Sequence, residues 1–144
     1  MYSLVLLLHS WLRWLAIAAG IAATASVSSP RAGRTGLLFI IAMDLQMVLG
    51  LLLYGFLSPI TTATFGDFGA AMRDPVARFW AVEHISMMVG AVALAHVGRV
   101  LARKAPTPAA ARTRLLICFG LSTVLMIVGT PWPGMRAGRQ LFRV

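Results

Sequence analysis

Six ionisable side chains interrupt the long apolar stretches of this sequence: His9, Arg13, Asp44, Glu83, His84 and His96. An ionisable group surrounded by apolar residues is costly to bury in hydrocarbon, so each of these marks a position where polarity has a purpose. They sort into two layers. His9 and His84 each lie about five residues into their stretches, roughly 8 Å deep at about 1.5 Å of rise per helical residue. Arg13 and Glu83 accompany them, and a buried arginine and glutamate at one depth predict an ion pair between the first and third stretches. Asp44 and His96 share a second layer near the opposite side and predict a contact of their own.

Two histidines at one depth on stretches that run the same way can bind a metal from two sides. The positions that follow each histidine at helical spacing are mostly small: Ala16, Gly20, Ala23 and Thr24 after His9 and Arg13, and Met87, Met88, Ala91, Ala95 and Gly98 after His84. A groove of small residues beneath paired imidazoles suits a flat cofactor, and a haem b with two axial histidines is the natural candidate. Arg13 or Arg78 would then meet the propionates, with Trp80 closing the edge. Zinc or copper fits less well, because a third and fourth ligand are lacking. The competing reading is structural: small residues let helices pack closely, and polar residues act as glue between them.

The elements that position these residues follow from composition. Hydrophobic residues make up 59% of the 144 and charged residues 12%, with a mean hydropathy of +0.83, so lipid is the expected solvent. The chain has room for four spans of about 20 apolar residues and little else. They are read as 4–27, 37–56, 79–101 and 115–130, giving an all-α, four-helix membrane bundle in one domain. The first span lacks the basic start of a cleaved signal peptide and is read as retained. Between the second and third spans, LSPITTATFGDFGAAMRDPVAR is expected to fold back as a partly amphipathic cap. ARKAPTPAAARTR reads as an exposed turn, and PWPG ends the fourth span. Trp11, Trp14, Trp80 and Trp132, all toward one end of their spans, read as an interfacial belt.

The net charge of +9 does not point to nucleic acid, because the basic residues fall at span ends and in loops, where they orient the protein and attract anionic lipid. Cys118 stands alone in an apolar stretch and reads as a small buried residue. No nucleophile triad and no Gly-rich phosphate loop is present, so a stand-alone enzyme is not expected.

HSWLRWL in the first span, DLQMVLGLLLYG in the second, RDPVARFWAVEHISMM in the third and GTPWP after the fourth together resemble small four-helix bacterial membrane proteins sometimes labelled cytochrome b-like. The resemblance covers nearly the whole chain. Relatives often carry His where this chain has Asp44, and the layout is also similar to cytochrome b561-type electron carriers without their full set of paired histidines. It implies a four-helix fold and a single haem b. The functional expectation is a haem b-binding electron-transfer subunit that exchanges electrons with a quinone or a larger complex. The alternative is a cofactor-free accessory subunit of a respiratory or photosynthetic assembly.

One side of the bundle carries Arg31, Arg34, Arg99, Arg103, Lys104, Arg112 and Arg114, and the other Arg73, Arg78, Arg136, Arg139 and Arg143. Positive charge accumulates in the cytoplasm, so both termini are expected in the periplasm of a bacterial inner membrane. Alkaline phosphatase fused after Val144 should therefore be active. An inactive phosphatase together with a fluorescent cytoplasmic fusion at the same point means the inverse orientation.

Overall fold

The computed structural model describes residues 1–142; Arg143, counted above for its charge, lies outside the described residues. The chain is all-α, with no strand among the described residues. Helix α1 covers Tyr2–Ala25 and α2 Ala32–Leu52, the latter continuing through a π-helical turn at Leu53–Leu57. Three short helices follow: α3 (Pro59–Gly66), α4 (Phe68–Arg73) and α5 (Pro75–Arg78). A second π-helical turn at Phe79–Glu83 leads into α6 (His84–Arg103), and α7 covers Pro108–Val128. Tyr2–Ala25, Ala32–Leu57, Pro75–Arg103 and Pro108–Val128 are long and apolar enough to cross a bilayer, which makes this a small multi-pass membrane protein.

The third and fourth spans start earlier than their apolar runs, at Pro75 and Pro108, because capping chemistry begins a helix there. Ser58-Pro59, Asp74-Pro75 and Thr107-Pro108 each place an N-cap side chain before a proline at the first helical position. Thr107 Oγ1 accepts from the Ala110 amide at 3.1 Å and Asp74 Oδ1 from Val76 and Ala77 at 2.7 and 2.8 Å. TPAAARTR is thus the first two turns of α7 rather than an exposed turn. The expected cap between α2 and α6 is three helices, and its polarity is the reverse of a simple amphipathic cover. Thr61, Thr64 and Ala71 are buried while Phe65 and Phe68 stay half exposed. Threonine hydroxyls can turn inward because they bond local carbonyls: Thr61 Oγ1 donates to Tyr54 O at 2.8 Å and Thr64 Oγ1 to Thr61 O at 2.6 Å.

The four long helices contact one another in the ring α1–α2–α6–α7, leaving α1 opposite α6 and α2 opposite α7 across the diagonals. The core fills the half nearer the α1–α2 and α6–α7 loops. Phe39 and Phe119, both fully buried, meet edge to face across the α2–α7 diagonal at 5.3 Å. The alanines and glycines of α1 and α6 are buried as the sequence suggests, and the two glycines pack on α2 and α7. A Cβ on Gly20 would come within 2.5 Å of Thr123 Oγ1 and 2.9 Å of Phe39, and one on Gly98 within 2.5 Å of the Cys118 Cβ. Ser122 of α7 donates to the Ala91 carbonyl of α6 at 2.7 Å, adding the hydrogen bond that lipid cannot supply.

Close approach of α6 and α7 at Gly98 yields a test. Gly98→Ala should destabilise the bundle by about 1–3 kcal/mol, the usual cost of overpacking. Cys118→Gly, which removes the opposing Cβ, should recover part of that loss in the double variant. Unfolding in mixed micelles measures both, and a neutral Gly98→Ala would contradict the packing described.

Candidate functional site

The half of the bundle nearer the chain termini is packed differently. Here a cavity of about 130 Å³ opens between the helices, and His9, Gln46, Trp80, His84, Arg13 and Arg139 are among the residues that line it. His9 comes from α1 and His84 from α6, so the two imidazoles face each other across the bundle diagonal. Their ring centres are 6.5 Å apart and their planes are inclined by 73°.

His84 is held by the end of α7. Its Nδ1 lies 2.8 Å from the Gly129 carbonyl oxygen. A carbonyl only accepts, so Nδ1 carries the proton and Nε2 keeps its lone pair. The acceptor is available because α7 ends at Val128, and terminal carbonyls of a helix lack an internal partner. Glycine at 129 eases the approach: a Cβ there would lie 3.0 Å from the Leu125 carbonyl oxygen and 3.2 Å from the Met87 Cβ, and would displace the Met88 methyl.

The π-helical turn at Phe79–Glu83 widens the backbone just where Trp80 and His84 turn inward. A π turn at the start of a span is a local irregularity that concentrates at functional sites. The matching π turn of α2 sits beside it, and Tyr54 Oη donates to the Ala81 carbonyl at 2.8 Å, tying the two widened turns together. His84 also packs on Trp80 and Phe79, with ring centres 5.4 and 5.9 Å away.

His9 is held by α2. The Gln46 amide nitrogen lies 3.3 Å from His9 Nε2 and donates to the His9 backbone carbonyl at 3.1 Å. The imidazole edge rests on Gly50, where a Cβ would meet His9 Cε1 at 3.2 Å. Three buried polar atoms of this layer, His9 Nδ1, Gln46 Oε1 and Trp80 Nε1, have no hydrogen-bond partner among the described residues. Buried polar atoms are satisfied in the great majority of cases, so these three call for a partner within the cavity, water or a bound group.

The chain beyond α7 folds back over the cavity mouth. Arg13 donates to the Leu141 carbonyl at 2.7 Å and Trp14 Nε1 to the same oxygen at 3.1 Å. Phe142 stacks on Trp14, and Arg139 lies over the Trp80 ring at 5.5 Å.

Several expectations are revised by this arrangement. Arg13 and Glu83 do not form the predicted pair: Glu83 bonds Arg78 at 2.8 Å on the half-exposed surface, and Arg13 anchors the returning chain. The reason is helical phase. With His84 directed inward, its predecessor Glu83 points about 100° around the helix, away from α1. Arg78 is accordingly not among the cavity residues, and the arginine that joins Arg13 there is Arg139. Trp80 lines the cavity with its indole N–H buried; Trp14 and Trp132 pack on each other at 6.0 Å, while Trp11 remains half exposed. Asp44 and His96 do meet, with Oδ1 and Nε2 2.8 Å apart. Gln46, Gly129 and Arg139 were not singled out from the sequence; of these only Gln46, an amide within an apolar span, carried a legible signal.

No three His, Cys, Asp or Glu residues come together among the described residues, so the site offers two imidazoles to a metal and no further ligand of these types. Comparison with family models, with curated proteins and with solved structures gives no match to this chain.

Two hydrogen bonds hold Leu141 over the cavity. A charge-assisted bond contributes about 1.5–3 kcal/mol and a neutral one about 0.5–1.5 kcal/mol, so their loss should raise the open population of this segment at least ~10-fold. Trypsin cleavage after Arg136 or Arg139 should accelerate by that factor in Arg13→Met/Trp14→Phe, provided α1 stays folded by circular dichroism. An unchanged cleavage rate would mean that other contacts retain the segment.

Proposed function

We propose that this membrane protein binds haem b between His9 and His84 and serves as a one-electron carrier within the bilayer. The observation that carries the reading is the placement of the two imidazoles. A metal–nitrogen bond of about 2 Å plus about 1 Å from nitrogen to ring centre on each side gives a separation of about 6 Å, and the rings here are 6.5 Å apart.

Three further features fit the group. His84 has its Nδ1 proton fixed on a backbone carbonyl, the usual support for an imidazole that ligates through Nε2. Both imidazoles line one cavity, and they come from helices that sit on opposite corners of the four-helix ring. At its mouth, Arg13, Arg139 and the Trp80 indole N–H are cationic or donor groups suited to carboxylates. Gln46 is the one group in competition, because it shares His9 Nε2; it retains its bond to the His9 carbonyl when that nitrogen is taken. Bound haem would supply reversible iron reduction, while these residues fix the imidazoles and keep water from the iron. Partner subunits or a quinone on the electron path belong to the same proposal.

Protein purified after expression with haem supply should show a Soret band and sharp reduced α and β bands. His9→Ala and His84→Ala should each abolish the six-coordinate spectrum, while Asp44→Ala, in the other layer, should leave it unchanged. A folded wild-type protein that takes up no haem under these conditions refutes the reading and leaves a structural subunit with a polar core.

A further inference from the structure

The segment between α2 and α6 turns its polarity inside out. Thr61 and Thr64 are buried, while Phe56, Phe65 and Phe68 stand 79%, 50% and 50% exposed. Large aromatic side chains left open in this way point to surroundings other than water. From Leu45 to Gly66 the chain carries no charged residue, a run that passes out of α2 and through the whole of α3. Charge returns at Asp67, followed by Arg73 and Asp74.

The packing of α3 sets its depth. After Leu57 the chain reverses at Ser58, whose amide donates to the Leu53 carbonyl at 2.8 Å. Helix α3 then lies beside the last turn of the second span: Thr61 Oγ1 donates to the Tyr54 carbonyl at 2.8 Å, and the Phe65 ring meets the Tyr54 ring edge to face at 5.4 Å. Tyr54 comes before the end of that span at Leu57 by one helical turn, so Phe65 is level with the span and does not project beyond it.

The hydroxyls of α3 suit the same depth. Thr61, Thr62 and Thr64 each donate to a backbone carbonyl, at 2.8, 2.8 and 2.6 Å. Thr62 is exposed, yet its hydroxyl is already satisfied by the Ser58 carbonyl, so the outward surface of α3 shows carbon and no unpaired hydroxyl, as hydrocarbon requires. The surface also continues one that lipid must cover. Leu51 and Leu52, exposed on the second span, lead directly into Phe56.

We propose that α3 is a membrane-interfacial helix: it lies within the leaflet nearer the chain termini, with Phe65 and the flanking Phe56 and Phe68 among the lipid acyl chains and Asp67 at the headgroups. Interfacial helices bury their apolar face about 5–10 Å into the boundary between headgroups and chains, the level at which Tyr54 holds Phe65. The partner of this surface is the bilayer itself.

Spin labels on the protein in nanodiscs of phosphatidylcholine and phosphatidylglycerol test this, in a Cys118→Ala background. Labels at Ala63→Cys and Phe65→Cys should collide with oxygen in preference to a water-soluble nickel chelate. Their oxygen-to-nickel ratio should approach that of Val124→Cys, exposed on α7, and exceed several-fold that of Arg73→Cys, exposed beyond Asp67. If Ala63→Cys fails to fold, Thr62→Cys reports on the same helix. A ratio at α3 equal to that at position 73 would put the helix in water and overturn the proposal. Low collision with both reagents would mean that protein covers the helix, and would overturn it equally. The readout is the same with or without haem, so it stands apart from the test of the His9 and His84 site.

Discussion

Everything in the cavity layer depends on the bond from His84 Nδ1 to the carbonyl of Gly129. It fixes the tautomer of the imidazole, the direction of its free nitrogen and the distance between α6 and the end of α7. Within a bilayer there is no water to replace either partner, so the bond is effectively obligatory once both groups are inserted. The sequence leaves that carbonyl free: Pro131 and Pro133 stop α7, and Pro133, four residues after Gly129, has no N–H that could claim its carbonyl.

Around that bond the two layers of the bundle solve opposite problems. Near the loops, glycine and alanine bring helices together until phenylalanine, methionine and serine fill the interior. Near the termini, two π turns widen α2 and α6, and the bundle cannot close over its own polar groups. The Tyr54–Ala81 bond joins the two widened turns, so the opening is a defined feature with its own hydrogen bond and not a local lapse in packing.

Much of this was legible in the sequence, and what was not has identifiable causes. Apolar runs located the four spans, since hydrophobicity over about 20 residues is a strong signal. Depth along a span grouped His9 with His84 and brought Asp44 to His96, because rise per residue is nearly invariant. Rotation about the helix axis was not legible in the same way. Grouping by depth alone reads Glu83 as an inward partner for Arg13 although its neighbour His84 takes the inward direction, and the π turn at Phe79–Glu83 leaves no mark in composition. Gly129 and Arg139 lie beyond the fourth span, and their role arises only when that segment folds back. The Ser-Pro, Asp-Pro and Thr-Pro starts of α3, α5 and α7 were visible and carry a known meaning; reading Pro106 and Pro108 together as an exposed turn obscured the last of them.

The folded-back segment also sets an order of biosynthesis. Residues 131–142 leave the ribosome after all four spans, whereas Arg13 and Trp14, which receive them, are among the first to enter the membrane. During insertion the cavity therefore has walls but no roof, and it stays open to the side of the membrane where the termini lie. After synthesis, anything that enters past this segment must first break the bonds that Arg13 and Trp14 make to Leu141, so the fold-back separates an open stage of assembly from a guarded one.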